Sequence, residues 1–159
     1  MFCEGGCACG ALRYALQTKP ILVHACHCLN CQRLTGGAFA VNAVIEKKQL
    51  ALLAGEPVVC ELKGGSGQGQ DVYFCATCGT HLWNEYHVFP GKVWFVRVGT
   101  FDDPTLLRPD VHIFTRSKEP WVVLPSETPA FETRYDREQF WTAETKARLE
   151  ASAAPSPKG

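Results

Sequence analysis

Short runs of branched and aromatic residues, mostly bounded by Gly, Pro or Asp, recur along the first 100 residues of the chain. Such runs are typical of β-strands. We predict strands at residues 11–15, 39–45, 58–62, 72–74 and 93–98. Because turn residues separate the runs and no long amphipathic segment comes before the C-terminal part, the pattern favours one mainly β domain of short antiparallel strands.

The C-terminal part of the chain has a different pattern. Asp136 followed three residues later by Gln139 resembles a helix capping box, and the residues after it are rich in Glu, Ala, Lys, Arg and Gln. We therefore predict a β domain over residues 1–135 and a C-terminal helix over residues 136–150 that packs on it. The small residues and prolines of residues 151–159 predict a disordered tail.

The charges of the chain balance, because 16 Lys and Arg residues stand against 16 Asp and Glu residues. A chain without net charge has no global field that favours nucleic acid or anionic lipid. DNA-reading zinc fingers carry a basic helix between their ligand pairs, and residues 31–75 contain no such run. The longest apolar stretches are too short to span a bilayer. We expect neither nucleic acid nor membrane as a partner, and the oligomeric state is left open.

Seven of the nine cysteines form three tight groups: Cys7 with Cys9, Cys26 with Cys28 and Cys31, and Cys75 with Cys78. The rival interpretation, a disulfide framework, belongs to small secreted domains that lack a sufficient core. This chain has 159 residues, 46% of them hydrophobic, and begins without a signal-peptide pattern. Cys-x-Cys pairs also bridge each other poorly, whereas both sulfurs can face one ion. We therefore predict metal binding and a cytoplasmic location.

The first and last groups share a local pattern that suits a closed metal site. Cys9 and Cys78 are each followed by glycine, which lets the backbone turn through positive φ and aim N–H groups at the sulfurs. Zinc held by four thiolates is normally structural. We predict a structural zinc on Cys7, Cys9, Cys75 and Cys78, and this ion closes a long loop, where a metal clip contributes most.

The middle group supplies three cysteines, Cys26, Cys28 and Cys31, from six consecutive residues. Zinc held by three protein ligands keeps a position free for water or substrate, so this group predicts a second, open zinc site. A closed site is the alternative, with a fourth ligand from one of five candidates: His24, His27, His112, Cys3 and Cys60. His27 lies between two ligands and is expected to face away from the ion, because alternate residues of an extended segment point in opposite directions.

Five segments follow one another in a characteristic order and spacing: residues 6–14, 26–36, 74–80, 112–114 and 117–121. These segments, among them GCACGALRY, CHCLNCQRLTG and FCATCGT, resemble the GFA family, named for glutathione-dependent formaldehyde-activating enzyme and including the centromere-protein-V-like proteins. The resemblance covers about residues 5–131 and implies the β-tent fold. It also implies two zinc ions per chain, held by the same two sets of cysteines that the spacing predicts.

The resemblance further implies a substrate class. The family's named reaction joins glutathione to formaldehyde and gives S-(hydroxymethyl)glutathione, formally a carbon–sulfur lyase reaction in reverse. An open three-cysteine zinc suits this chemistry, because a substrate thiol in the free position loses its proton and can attack a carbonyl carbon. We predict a zinc-dependent carbon–sulfur lyase acting on glutathione or another small thiol, with Cys26, Cys28 and Cys31 at the catalytic site.

The contacts to the rest of such a substrate are predicted only from charge and position. Four cations could bind the carboxylates of a tripeptide: Arg33, Arg97, Arg116 and Lys118, of which Arg33 and Lys118 are favoured. His112 and Trp121 match family positions, so we predict a catalytic role for His112 and a substrate contact for Trp121. Each of these residues could equally be a solvated charge or a packing residue.

Two other functions stay open. A thiol-binding carrier or a zinc-stabilised interaction module without turnover would use the same residues. A redox enzyme on a related fold, such as a methionine sulfoxide reductase, would use Cys60 or Cys3 as nucleophile, but the sequence shows no activating environment for either. Both cysteines are instead expected to be small buried side chains.

Overall fold

The structure, a computed structural model, describes residues 1–65, 67–88 and 92–152, without the side chains of Gln139 and Ser152. The strands of this part of the chain are β1 (Cys3–Gly6), β2 (Arg13–Leu16), β3 (Leu22–Cys26), β4 (Ala40–Glu46), β5 (Leu50–Ala54), β6 (Val58–Leu62), β7 (Gln70–Phe74), β8 (His81–Tyr86), β9 (Val93–Arg97) and β10 (Val111–Ile113). The α-helices are α1 (Leu29–Thr35), α2 (Arg137–Phe140) and α3 (Ala143–Ser152). Most of the predicted tail, residues 153–159, lies outside the described residues.

The strands of the described residues form two sheets, which confirms the predicted mainly β fold class. The larger sheet has seven strands in the order β10-β3-β4-β9-β8-β7-β6, and the smaller sheet has the order β1-β2-β5. Neighbouring strands pair antiparallel except β10 and β3, which run parallel. The five predicted strands are present, with ends that differ from the prediction by at most two residues. The other five strands are additions to the predicted pattern.

Two apolar cores lie on opposite faces of the larger sheet. The first core packs the smaller sheet against it, where Tyr14 of β2 meets Trp83 of β8 edge to face with ring centroids 5.5 Å apart. The second core contains Phe95 of β9 and is covered by C-terminal side chains that include Phe131 and Phe140. One cysteine group borders each core, since Cys7 and Cys75 belong to the first and Cys26 and Cys31 to the second.

The predicted C-terminal helix is present as two helices, because the backbone is extended at Trp141 (φ −81°, ψ 129°). The side chain of Asp136 caps α2 by accepting a hydrogen bond from the backbone N–H of Glu138 at 2.9 Å. Trp141 Nε1 donates to the hydroxyl of Tyr135 at 3.2 Å, which fixes the break between the helices. No helix in the described part of the chain has both the length and the apolar character needed to cross a bilayer.

A buried ion pair ties α3 to the larger sheet. Arg148 donates from Nε and Nη2 to the two carboxylate oxygens of Glu46, each at 2.8 Å. The side chain of Glu46 is only 4% exposed. A two-pronged guanidinium–carboxylate pair fixes orientation as well as distance, so Arg148 sets where α3 lies on β4.

The first prediction concerns this pair. Arg148→Met leaves the Glu46 carboxylate buried without its partner, and we expect the free energy of unfolding to fall by about 3 kcal/mol. The matched control is Lys146→Met on the same helix, since Lys146 pairs with Glu138, whose side chain is 82% exposed. That control should cost less than about 1 kcal/mol. Urea denaturation measures both, and equal losses would show that the Glu46 pair does not hold the helix.

Candidate metal centres

The four outer cysteines meet where the N-terminal segment crosses the turn between β7 and β8. The sulfurs of Cys7 and Cys9 are 3.4 Å apart, and those of Cys9 and Cys75 are 3.8 Å apart. With Cys78, all four sulfurs lie within 4.8 Å of one another. Tetrahedral zinc with bonds of about 2.3 Å to sulfur places its ligands about 3.8 Å apart, so the donor set fits one closed zinc site. Zinc binding itself stays a prediction.

The two turns that carry these cysteines have the backbone geometry expected from their glycines. Gly10 and Gly79 have φ values of 76° and 70°, in the left-handed region. The backbone N–H of Leu12 then donates to Cys7 Sγ at 3.2 Å. The N–H groups near these turns thus stabilise negative charge on the sulfurs.

Thr80, which the sequence analysis does not single out, joins the two turns. Its Oγ1 lies 3.1 Å from Cys78 Sγ and also accepts from the backbone N–H of Ala8 at 3.1 Å. The hydrogen bonds from Thr80 lower the pKa of Cys78 to about 5. A thiolate that forms this readily is already suited to a cation.

The second group is built from the end of a strand and the start of a helix. Cys26 ends β3, Cys28 is the N-cap of α1 and Cys31 lies inside that helix. Their sulfurs lie within 4.8 Å of one another, and the described residues bring no fourth Cys, His, Asp or Glu ligand atom into the group. Cys26 and Cys31 are buried, whereas Cys28 is half-buried. The group is therefore open on the side of Cys28.

Helix α1 is the local element that the sequence analysis misses, since it expects only a tight turn there. The side chain of Cys28 accepts from the backbone N–H of Cys31 at 3.3 Å, in the manner of an N-cap. Gly36 ends the helix with φ 68°. The cap and the terminal glycine were the available signal, although seven residues are too few to show a helical period.

The three sulfurs differ in their tendency to ionise. Contacts from the thiols of Cys26 and Cys31 lower the pKa of Cys28 far below that of a free thiol. Contacts with the sulfurs of Cys28 and Cys31, together with burial, raise the pKa of Cys26. Negative charge therefore develops first at the most exposed sulfur of the group.

His27 faces away from the sulfurs, in agreement with the alternation of an extended segment. Its Nε2 lies 3.0 Å from His112 Nδ1. His112 pairs with Ala25 in the parallel ladder, so it lies on the opposite face of β3 from Cys26. Burial lowers the pKa of both histidines, to about 4 for His27. The histidines pack beneath the cysteine turn, and the catalytic role of His112 stays a prediction.

The three predicted substrate contacts, Arg33, Lys118 and Trp121, lie at exposed or half-buried positions. Arg33 is exposed on the face of α1 opposite to Cys31, where it helps to line a cleft of about 340 Å³. Lys118 donates from Nζ to the carbonyls of Glu119 and Val122 at 2.9 and 2.6 Å. Trp121 is 72% exposed and so is not a core residue. Within the described residues none of the three bonds a cysteine of the group, and their substrate role stays a prediction.

The two ungrouped cysteines differ from each other. Cys3 is buried, as expected, and burial raises the pKa of its thiol to about 11. Cys60 is exposed on β6, contrary to the expectation of a buried side chain, because β6 is the edge strand of its sheet. Neither cysteine belongs to the two sulfur groups.

A row of buried polar side chains next to the second group also escapes the sequence analysis. His24, Asn42 and Arg97 are cross-strand neighbours on β3, β4 and β9. His24 and Cys26 face the same way because they are two residues apart on one strand. The available signal was a polar residue within or at the end of each of three mainly apolar strands.

The comparisons with known proteins agree with this geometry. A family model described as glutathione-dependent formaldehyde-activating enzyme, GFA, matches residues 2–117. The chain belongs to the GFA family. This confirms the resemblance seen in the cysteine motifs, and places α2 and α3 beyond the matched segment.

Two related proteins extend the comparison. A Halomonas elongata protein named "Putative glutathione-dependent formaldehyde-activating enzyme" is 30% identical over an alignment of 136 positions, and the alignment covers 79% of this chain and 83% of the relative. The crystal structure of a Rhodobacter sphaeroides protein has a TM-score of 0.50 at 21% identity and covers 67% of this chain and 91% of that one. The second likeness concerns the fold alone.

The two sulfur groups lead to a prediction of metal content. We expect two zinc ions per chain, one on each sulfur group, of which a mild chelator removes only the one held by three cysteines. Zinc per chain is measured by elemental analysis before and after the chelator. Cys31→Ser should remove the fast fraction selectively. A single zinc throughout, or equal loss of both ions, would contradict the division into a closed and an open site.

A second prediction separates structural from functional cysteines. Cys75→Ser should abolish soluble folding, because structural zinc contributes roughly 10 kcal/mol or more in small domains, comparable to the stability of a whole domain. Cys28→Ser should fold, and Cys60→Ser serves as an exposed cysteine control. Soluble yield and thermal midpoint are the measurements. A Cys75→Ser variant as stable as the parent would show that the four-cysteine group is not structural.

Proposed function

We propose that the protein joins glutathione, or a similar small thiol, to an aldehyde, as a carbon–sulfur lyase working in the direction of synthesis. The family match and the name of the Halomonas relative support glutathione-dependent formaldehyde activation as the broad activity. The observation that carries the proposal is the group of three cysteines that lacks a fourth ligand among the described residues. The aldehyde is proposed by class, with formaldehyde first.

The donor set suits thiol chemistry better than hydrolysis. Cys26, Cys28 and Cys31 would hold a zinc ion, which would supply a position where a substrate thiol loses its proton and stays nucleophilic. Three cysteinates carry more negative charge than a divalent ion cancels, which makes such a site a weak activator of water. In the proposed reaction the thiolate sulfur bonds to the carbonyl carbon as the C=O π bond breaks, and the carbonyl oxygen takes up the proton that the thiol released.

The burial of the three cysteines gives the direction of approach. Cys26 and Cys31 close the group from the protein side, so a thiol reaches it past Cys28. Leu29 follows Cys28 directly and shares one face of α1 with Arg33, about 6 Å further along the helix. Both residues line the cleft of about 340 Å³. This placement supports Arg33 as a contact for a glutathione carboxylate.

A thiol-binding module without turnover is the second candidate. It is favoured by the lack of an evident acid or base at the three-cysteine group. Among the described residues no carboxylate belongs to the group, and the nearby His27 and His112 bond each other. A redox function ranks last. The thiol of Cys3 is buried, and burial raises its pKa. Among the described residues the sulfur of Cys60 hydrogen-bonds only to the backbone carbonyl of Glu61, at 3.9 Å.

A cytoplasmic location is also proposed. All nine cysteines are free thiols in the structure. Free thiols and thiolate metal sites persist in reducing compartments, whereas stable disulfides are typical of oxidising ones.

The proposal predicts how glutathione and its S-methyl derivative compare. Both carry the same carboxylates, but only glutathione has a sulfur that can ionise. Isothermal calorimetry should show binding of glutathione with proton release, strengthening as the pH rises until hydroxide competes, and far weaker binding of the S-methyl form. Cys28→Ser should lose glutathione binding. Equal affinity for the two compounds would exclude coordination through the sulfur.

Turnover then separates an enzyme from a binding module. Glutathione is mixed with a panel of aldehydes, and adduct formation is compared with the uncatalysed rate in the presence of the parent or Cys28→Ser. If the protein is an enzyme, the parent accelerates adduct formation and Cys28→Ser does not. A parent that binds glutathione without acceleration belongs to the second candidate.

A further inference from the structure

Arg97, at the end of β9, is a buried cation that forms no ion pair with an anion among the described residues. The residue is 5% exposed. Its Nη1 donates to Asn42 Oδ1, and its Nη2 lies 3.4 Å from His81 Nδ1. Its Nε has no hydrogen-bond partner among the described residues. The ion pairs of the described residues involve other cations: Arg13, Lys47, His87, Lys146 and Arg148.

The neighbours of Arg97 do not neutralise it. Asn42 is uncharged, and His24 and His81 carry no negative charge in either of their ordinary protonation states. None of the three can offset the positive charge of the guanidinium. An uncompensated buried charge is strongly destabilising, so the surroundings of Arg97 require a negative charge from elsewhere.

The sheet places Arg97 next to the three-cysteine group. Arg97 pairs with Asn42, Asn42 pairs with His24, and His24 is two residues before Cys26 on the same face of β3. Phe95, two residues before Arg97 on β9, packs in the same core as Cys26 and Cys31.

The net charge of the proposed zinc site is opposite to the charge of Arg97. Three thiolates and one divalent zinc carry a net charge of about −1, since each cysteinate contributes one negative charge. We propose that Arg97 is the counter-charge of the Cys26, Cys28 and Cys31 zinc site and that its positive charge stabilises the ion there. The inference rests on the proposed open zinc site. It makes Arg97 a positioning residue, which acts through the cysteines and not on the substrate.

The test measures zinc affinity on the full chain, with zinc retained at the four-cysteine site. Arg97→Met removes the charge at similar volume and should weaken the fast-exchanging zinc about 10-fold or more in chelator competition. Arg97→Lys keeps the charge and should stay within about 3-fold of the parent. The exposed Arg108→Met is the matched control and should match the parent. Affinity at the four-cysteine site should not change in any variant.

A double-mutant cycle keeps the proposal testable if Arg97→Met is poorly stable. On the parent background, loaded with zinc, Arg97→Met should lower the thermal midpoint. The Cys28→Ser background lacks the complete, negatively charged three-cysteine zinc site, so the charge of Arg97 is unpaired there. On this background Arg97→Met removes an unpaired buried charge and should leave the thermal midpoint unchanged or raise it. The same decrease on both backgrounds would overturn the proposal.

Two further results would also overturn it. If Arg97→Met and Arg108→Met bind zinc equally tightly, the charge of Arg97 does not act on the three-cysteine site. Equal loss in the Lys and Met variants would assign the effect to the contacts with Asn42 and His81 and not to charge. None of these readouts uses glutathione, so a protein that fails to turn over glutathione can still support the role of Arg97.

Discussion

The convergence of Cys7, Cys9, Cys75 and Cys78 is the constraint on which the arrangement of the two sheets depends. Cys9 and Cys75 are 66 positions apart, and their sulfurs lie 3.8 Å from each other. A zinc ion bound by these cysteines would link the ends of a long loop and remove much of the entropy of the unfolded chain. It would also fix the smaller sheet over the first core, where Tyr14 packs on Trp83. The larger sheet is thereby held from one face, and its other face is free to carry the second cysteine group.

The two cysteine groups differ in geometry, one closed and one open, because the backbone segments that carry them differ. In the first group, two turns approach each other from distant parts of the chain and surround a central point with four sulfurs. In the second group, one strand end and one helix start supply three sulfurs from a single side. A fourth ligand would have to come from another segment, and β10 brings His112 to the wrong face of β3. The openness of the second group is therefore a consequence of strand pairing.

The sequence predicts those features that depend on local pattern. Residue order predicts the strand runs and the division of the cysteines by Cys-Gly turns. It also predicts that His27 points away from the sulfurs. Helix α1 is too short for a visible period, and the parallel pairing of β10 depends on contacts across 87 positions of the chain, such as Val111 with His24. The row of His24, Asn42 and Arg97 exists only once strand register is known. Non-local pairing is thus what sequence pattern alone could not supply.

Charge balance connects the buried row to the choice of substrate. An incoming thiolate adds one more negative charge to a site that three cysteinates have already made negative, and this addition is unfavourable in a poorly solvated interior. In the proposed site the guanidinium of Arg97, buried in the larger sheet, offsets part of that charge, while half-buried Cys28 leaves the group accessible to solvent. A site with these two properties can accept an anionic sulfur ligand and still release its product. The same three cysteines over an apolar sheet would bind zinc less tightly and would exclude a fourth thiolate more strongly.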